Sequence, residues 1–104
     1  MTYPCFVPLR PNGDPYTFTA SGDVCIGIFT DEDLANSFFR SAADGQRRIV
    51  VSRMQALAEV LAQYDGCKTD SNGRISHVII DPSNSAELAR VYGINEFRAH
   101  ILNE

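Results

Sequence analysis

Three short apolar runs constrain this chain most, because each stops at residues that start helices. Residues 24–29 pass into Thr30-Asp31-Glu32-Asp33, residues 49–51 into Ser52-Arg53, and residues 75–80 into Asp81-Pro82. In 24–29, Val24, Ile26 and Ile28 alternate with Cys25, Gly27 and Phe29, so both faces are apolar or small. That pattern fits a strand covered on both sides, and Gly27 leaves room there for a neighbour to approach closely. Repeated strand-to-helix switches specify an α/β (α+β) fold.

Thr30 is expected as the N-cap of the first helix, with Asp33 three residues on and a staple from Phe29 to Leu34. Leu34, Ala35, Phe38, Phe39 and Ala42 make its apolar stripe, and Gly45 ends it. Ser52 is expected to cap the second helix, with Gln55 completing a capping box. Met54, Leu57, Ala58, Leu61 and Tyr64 form its inner face, and Gly66 closes it. Asp81-Pro82-Ser83 opens a third helix carrying Leu88, Val91 and Tyr92, closed by Gly93. The tail, 94–102, fits strand alternation and helical spacing alike, and we read it as a strand. Ahead of these, residues 5–9 read as a strand that Pro4 and Pro8 confine to a sheet edge or make irregular, and 16–19 as a second strand. Turns at 11–15 and 21–23 make the first three strands an antiparallel meander. The expected order is β-β-β-α-β-α-β-α(-β), a single mixed β-sheet covered by about three helices, in one domain over residues 1–104.

Composition agrees with a globular domain: 104 residues, 44% hydrophobic and 21% charged, with a net charge of −4. A membrane span is not expected, since no window approaches 18 apolar residues. The first eight residues have neither a basic n-region nor an apolar h-region, so no signal peptide is expected. Cys5, Cys25 and Cys67 are odd in number and form no close pair, which points to reduced thiols in a cytoplasm. Acidity dominates except at residues 40–53, where Arg40, Arg47, Arg48 and Arg53 face only Asp44. This island lacks interleaved aromatics, so nucleic acid is disfavoured, and it reads as a solvated helix end or a local contact for an acidic partner.

Chemistry has few anchors. No P-loop, GxGxxG or GxSxG is present, and the Cys and His separations match no zinc spacing. His77 and His100 are not placed beside any thiol by spacing, and Cys25 lies mid-strand, where a thiol stays protonated. If the three strands before the helices run parallel, their junctions meet at one sheet edge, where open α/β sheets bind ligands. Thr30, Asp31, Asp33, Ser52, Arg53 and Asp81 are the candidate ligand-binding residues on that account. Asp31, Asp33 and Asp81 could offer oxygens to a divalent cation, whereas helix capping explains each of them unaided. No catalytic residue, metal site or cofactor is assigned. The aromatics Tyr3, Phe6, Tyr16 and Phe18 belong either to the core or to a partner surface.

The segments Phe6-Val7-Pro8-Leu9, Ile28-Phe29-Thr30-Asp31-Glu32-Asp33-Leu34, Ile49-Val50-Val51 with the helix from Met54, and His77-Val78-Ile79-Ile80-Asp81-Pro82-Ser83 occur in an order that resembles the N-terminal domain of the SseB-like family. Asp81 stands where Asn is usual, and both cap helices well. The resemblance implies a bacterial, intracellular α/β domain with no established catalytic residues. The expectation is therefore a non-catalytic protein-protein interaction module, its partner another protein or a second copy through a sheet edge. The alternative is a small-ligand- or divalent-metal-binding domain, or an enzyme, using the cluster around Asp31, Ser52 and Asp81.

Overall fold

The computed structural model describes residues 3–11, 13–42, 47–69, 73–82 and 90–103, with the backbone alone for 39–42. Six strands and three helices follow in the order β1 (Cys5–Pro8), β2 (Thr17–Ala20), β3 (Asp23–Ile28), α1 (Glu32–Ala42), β4 (Arg48–Val51), α2 (Met54–Tyr64), β5 (Ile75–Ile80), β6 (Arg90–Gly93) and α3 (Ile94–Leu102). The fold class is mixed α+β, as the alternation of apolar runs and helix starts requires.

The strands form two ladders rather than the single sheet expected: β1-β4 and β2-β3-β5-β6. One rung joins them, since the Phe6 and Phe29 backbones exchange two hydrogen bonds of 2.8 Å. The expected meander is corrected here as well. β1 does not pair with β2; both run antiparallel to β3, one beyond the other, with Phe6 opposite Phe29 and Thr17 opposite Ile26. Residues 9–16 are an excursion between these two nearly collinear pieces, pinched shut where the Tyr16 N–H donates to the Pro8 carbonyl at 3.1 Å. Pro8 survives inside β1 because its missing N–H is not needed on the β4 side, where residues 5, 7 and 9 bond.

A two-residue turn at Ser21 (φ 52°) and Gly22 (φ 86°) closes the β2–β3 hairpin, the left-handed pair that suits strand twist. β3 and β5 are parallel, with Ile28 opposite Ile80, and one register irregularity lets Ser76 bulge out. That extra residue puts Ile75 and Val78 on the same face of β5. Gly27 has the role its sequence position suggested: a Cβ there would lie 2.4 Å from the Phe18 ring, which crosses it from β2.

Helices cover both faces. On one, α2 and α3 bury Leu57, Ala58, Leu61, Ile94, Phe97 and Ile101 against Cys5, Val7, Ile26, Ile28, Val51, Val78 and Ile80. On the other, α1 lays Ala35 and Phe38 over Phe6 and Phe29. Phe38 is the hub, with ring centroids of Tyr16, Phe29 and Phe18 at 5.0, 5.4 and 5.7 Å. The N-terminal aromatics are thus spent mainly on packing.

Several helix boundaries differ from expectation. The cap of α1 is Asp31, whose Oδ1 accepts the Asp33 N–H at 2.7 Å, because Thr30 is engaged elsewhere. The one-residue shift turns Leu34 outward at 46% exposure, so the staple to Phe29 is not made. Arg53, in extended conformation and without a side-chain capping bond, precedes α2 in place of Ser52. Val91, Tyr92 and Gly93 belong to β6, paired with β5, not to a third helix. The other residues of that expected helix, 83–89, lie outside the described residues. Gly93 opens α3 instead of closing a helix, and the tail 94–102 is helical. Only the helical spacing buries Ile94, Phe97 and Ile101 together; a strand would have sent Ile94 and Phe97 to opposite faces.

Candidate functional site

Strand register settles where the sequence candidates lie. Val50, Phe6 and Phe29 stand abreast across β4, β1 and the end of β3, while Ile80 stands beside Ile28. β4 therefore runs in the same direction as β3 and β5, and the three junctions do come to one sheet edge. At roughly 4.8 Å per strand, Ser52 and Arg53 lie about two strand spacings from Thr30 and stay exposed.

Thr30 and Asp81 meet directly. The Thr30 N–H donates to Asp81 Oδ1 at 2.8 Å and its hydroxyl donates to Oδ2 at 2.6 Å. The Asp81 N–H in turn donates to the Ile28 carbonyl at 2.8 Å. This clasp locks the carboxyl ends of β3 and β5 together and holds Asp81 at φ 49°, a left-handed conformation that Asp tolerates better than most residues. Both Asp81 oxygens are thereby engaged, and one Asp31 oxygen caps α1. Among the described residues no three His, Cys, Asp or Glu side chains gather as metal ligands. Geometrically this edge is a structural fastening.

Buried thiols have their own electrostatics. Burial pushes Cys5 from 9.0 up to about 11, and burial, reinforced by nearby Asp23, also raises Cys25. Neither thiol is a nucleophile at neutral pH. Ser76 Oγ sits 2.6 Å from His77 Nδ1, and His77 Nε2 lies 3.7 Å from Asp23 Oδ2. This string bridges the irregular start of the β3–β5 pairing and lies outside the groove described next.

The groove is the feature that sequence reasoning missed. A cavity of about 660 Å³ lies over the β2 end of the sheet, lined by Arg10, Asp14, Pro15, Thr17, Thr19, Tyr64, Cys67, Lys68, Thr69 and Ile75. Its volume is typical of ligand sites. One wall is the 9–16 excursion, where the Arg10 N–H bonds the Asp14 carbonyl at 2.7 Å and the Arg10 guanidinium lies 5.5 Å from the Tyr16 ring centre. The opposite wall is the end of α2 and the strip 66–69, held against 73–75 by backbone bonds such as Thr69 N–H to Gly73 carbonyl, 2.9 Å.

β2 is the floor. Its hairpin turn makes Ala20 and Asp23 a hydrogen-bonded pair, so bonding to β3 falls on residues 18 and 20. The N–H and carbonyl groups of Thr17 and Thr19 therefore point away from β3, and no described strand pairs with that edge. Thr17 and Thr19 side chains line the groove, while Phe18 goes to the aromatic cluster on the opposite face. A strand with threonines beside Val24 and Ile26 of β3 was the available signal. The approach of Lys68 and Tyr64 depends on tertiary folding and left no trace in local sequence. In comparisons with known proteins, no protein-family profile and no curated sequence matches this chain.

Proposed function

We propose that this protein is a non-catalytic interaction module that takes an extended peptide segment of a partner protein along β2. The observation carrying the reading is the edge of β2, which no described strand pairs, beside a groove lined by the Thr17 and Thr19 side chains. Strand addition uses main-chain hydrogen bonds for affinity and flanking pockets for selectivity, and this groove offers both. The order of segments shared with the SseB-like N-terminal domains supports the same reading, as a bacterial, intracellular domain without catalytic residues.

Thr19→Pro tests it. The Thr19 N–H points away from β3, so proline removes a docking donor without breaking the β3 ladder. Peptides selected from a random displayed library should bind the wild-type protein and lose at least about tenfold in affinity, some 1.4 kcal/mol, on Thr19→Pro. Failure to select any peptide, or equal binding by the variant, overturns the proposal.

The groove volume favours a second reading, a small-molecule ligand held between Arg10, Lys68 and the threonine hydroxyls. A thermal-shift panel of amino acids, nucleotides, sugar phosphates and divalent metals separates the two. A ligand at about 100 times its dissociation constant stabilises by about 2.7 kcal/mol, a shift on the order of 10 °C for a domain of this size.

A further inference from the structure

The strip that walls the groove beside α2 holds two like charges together. Lys68 stands directly opposite Arg74 in an isolated antiparallel bridge. The flanking bonds run from the Thr69 N–H to the Gly73 carbonyl at 2.9 Å and from the Ile75 N–H to the Cys67 carbonyl at 3.0 Å. Residues 67, 69, 73 and 75 thus carry the bonding, and 68 with 74 is the non-hydrogen-bonded pair. That is the position where cross-strand side chains share a face and stand closest. Like charges opposite each other there repel. Yet the chain has 13 acids to 9 bases, and among the described residues neither Lys68 nor Arg74 has an ion-pair partner. The Arg74 guanidinium donates to the neutral Gly66 carbonyl at 3.0 Å, which orients it and leaves its charge uncompensated.

This pair borders the docking path. Lys68 lines the groove together with Thr17 and Thr19, and both cations are exposed. A carboxylate has an oxygen for each of them and removes their repulsion as it binds. A neutral amide does so weakly, and a cationic side chain adds a third like charge, so the pair selects against basic segments as well as for acidic ones. We infer that the segment docked along β2 is acidic, with an Asp or Glu carboxylate bridging Lys68 and Arg74. The inference rests on the peptide-docking reading of the groove and supplies the chemistry of the partner.

The probes are peptides selected on the wild-type protein from a random displayed library, with docking at β2 verified by their loss on Thr19→Pro. They should carry Asp or Glu, and replacing that residue with Asn or Gln should weaken binding at least about tenfold. On Lys68→Gln and on Arg74→Gln the same replacement should cost less than about twofold, the signature of a coupled pair. Binding of the acidic peptides should weaken severalfold between about 0.05 and 0.3 M salt as the Debye length shortens. In the free protein, Lys68→Glu turns the like pair into an opposite pair and should raise the melting temperature. Peptides that need the Thr19 N–H but no acid would leave the docking intact and overturn the inference, whereas selection of no peptide would overturn both. Acid-dependent binding unchanged in both glutamine variants, or a lower melting temperature for Lys68→Glu, would also overturn it. So would saturable binding of inorganic phosphate at Lys68 and Arg74 that acidic peptides do not displace, since the pair would then serve a free anion.

Discussion

At the scale of single residues, burial and hydrogen bonding decide which polar groups can act. Cys5 and Cys25 are fully buried and Cys67 is exposed, so a thiol reagent at pH 8 should modify one cysteine in the native protein and three in denaturant. Because the Cys5 thiol is raised to about 11 when folded, the unfolded chain releases that proton first. Stability should therefore fall as pH rises from about 9 towards 11, by roughly 2 kcal/mol for a shift of this size. The loss should be smaller in Cys5→Ala when both unfolding curves are compared. Asp81 offers a sharper case. Asp81→Ala forfeits both Thr30 bonds and places a β-carbon without a polar partner at φ 49°; chemical denaturation should register a loss of about 2–3 kcal/mol. Asp81→Asn retains the shape and one acceptor, and should cost less than half of that.

Individual elements divide into those dictated locally and those dictated by contacts. β3, β5, α1 and α2 were legible because their apolar periodicity and flanking turns agree with their tertiary positions. The cluster at the carboxyl ends of the strands was legible in outline too, yet capping at Thr30 was not the outcome. Asp81, 51 residues away, captures the Thr30 N–H and hydroxyl, and the cap moves to Asp31. No local pattern encodes that competition. Residues 90–102 failed for the opposite reason: Val91 and Tyr92 suit a helix or a strand, and pairing with β5 decides between them. Where local and tertiary demands coincide less well, improvement is available. Ser21 sits at φ 52° in the β2–β3 turn, a position that Asn favours. Ser21→Asn should raise the melting temperature by a few degrees, corresponding to about 0.5–1 kcal/mol.

For the whole molecule, the distribution of buried side chains says what can be removed. α3 is the last described element, yet Ile94, Phe97 and Ile101 all enter the larger core cluster. At about 1.5–3 kcal/mol for each buried side chain, the helix accounts for a sum comparable with the entire stability of a domain this size. A chain ending at Gly93 should consequently lack dispersed amide resonances and a cooperative melt, while full-length protein retains both.

The detour between β1 and β2 has an evolutionary corollary. Because the two pieces follow the same course beside β3, the tip of the detour beyond the Arg10–Asp14 bond can change length without moving a rung between β1, β2 and β3. Doubling such a stretch costs only about 0.6 kcal/mol in closure entropy. Yet Arg10, Asp14 and Pro15 on that stretch form a wall of the groove. Under the proposed peptide docking, selectivity would be rewritten in one short insert while the scaffold stays untouched, much as hypervariable loops are exchanged on a conserved framework. Libraries randomised at residues 10–15 are the natural route to new specificities.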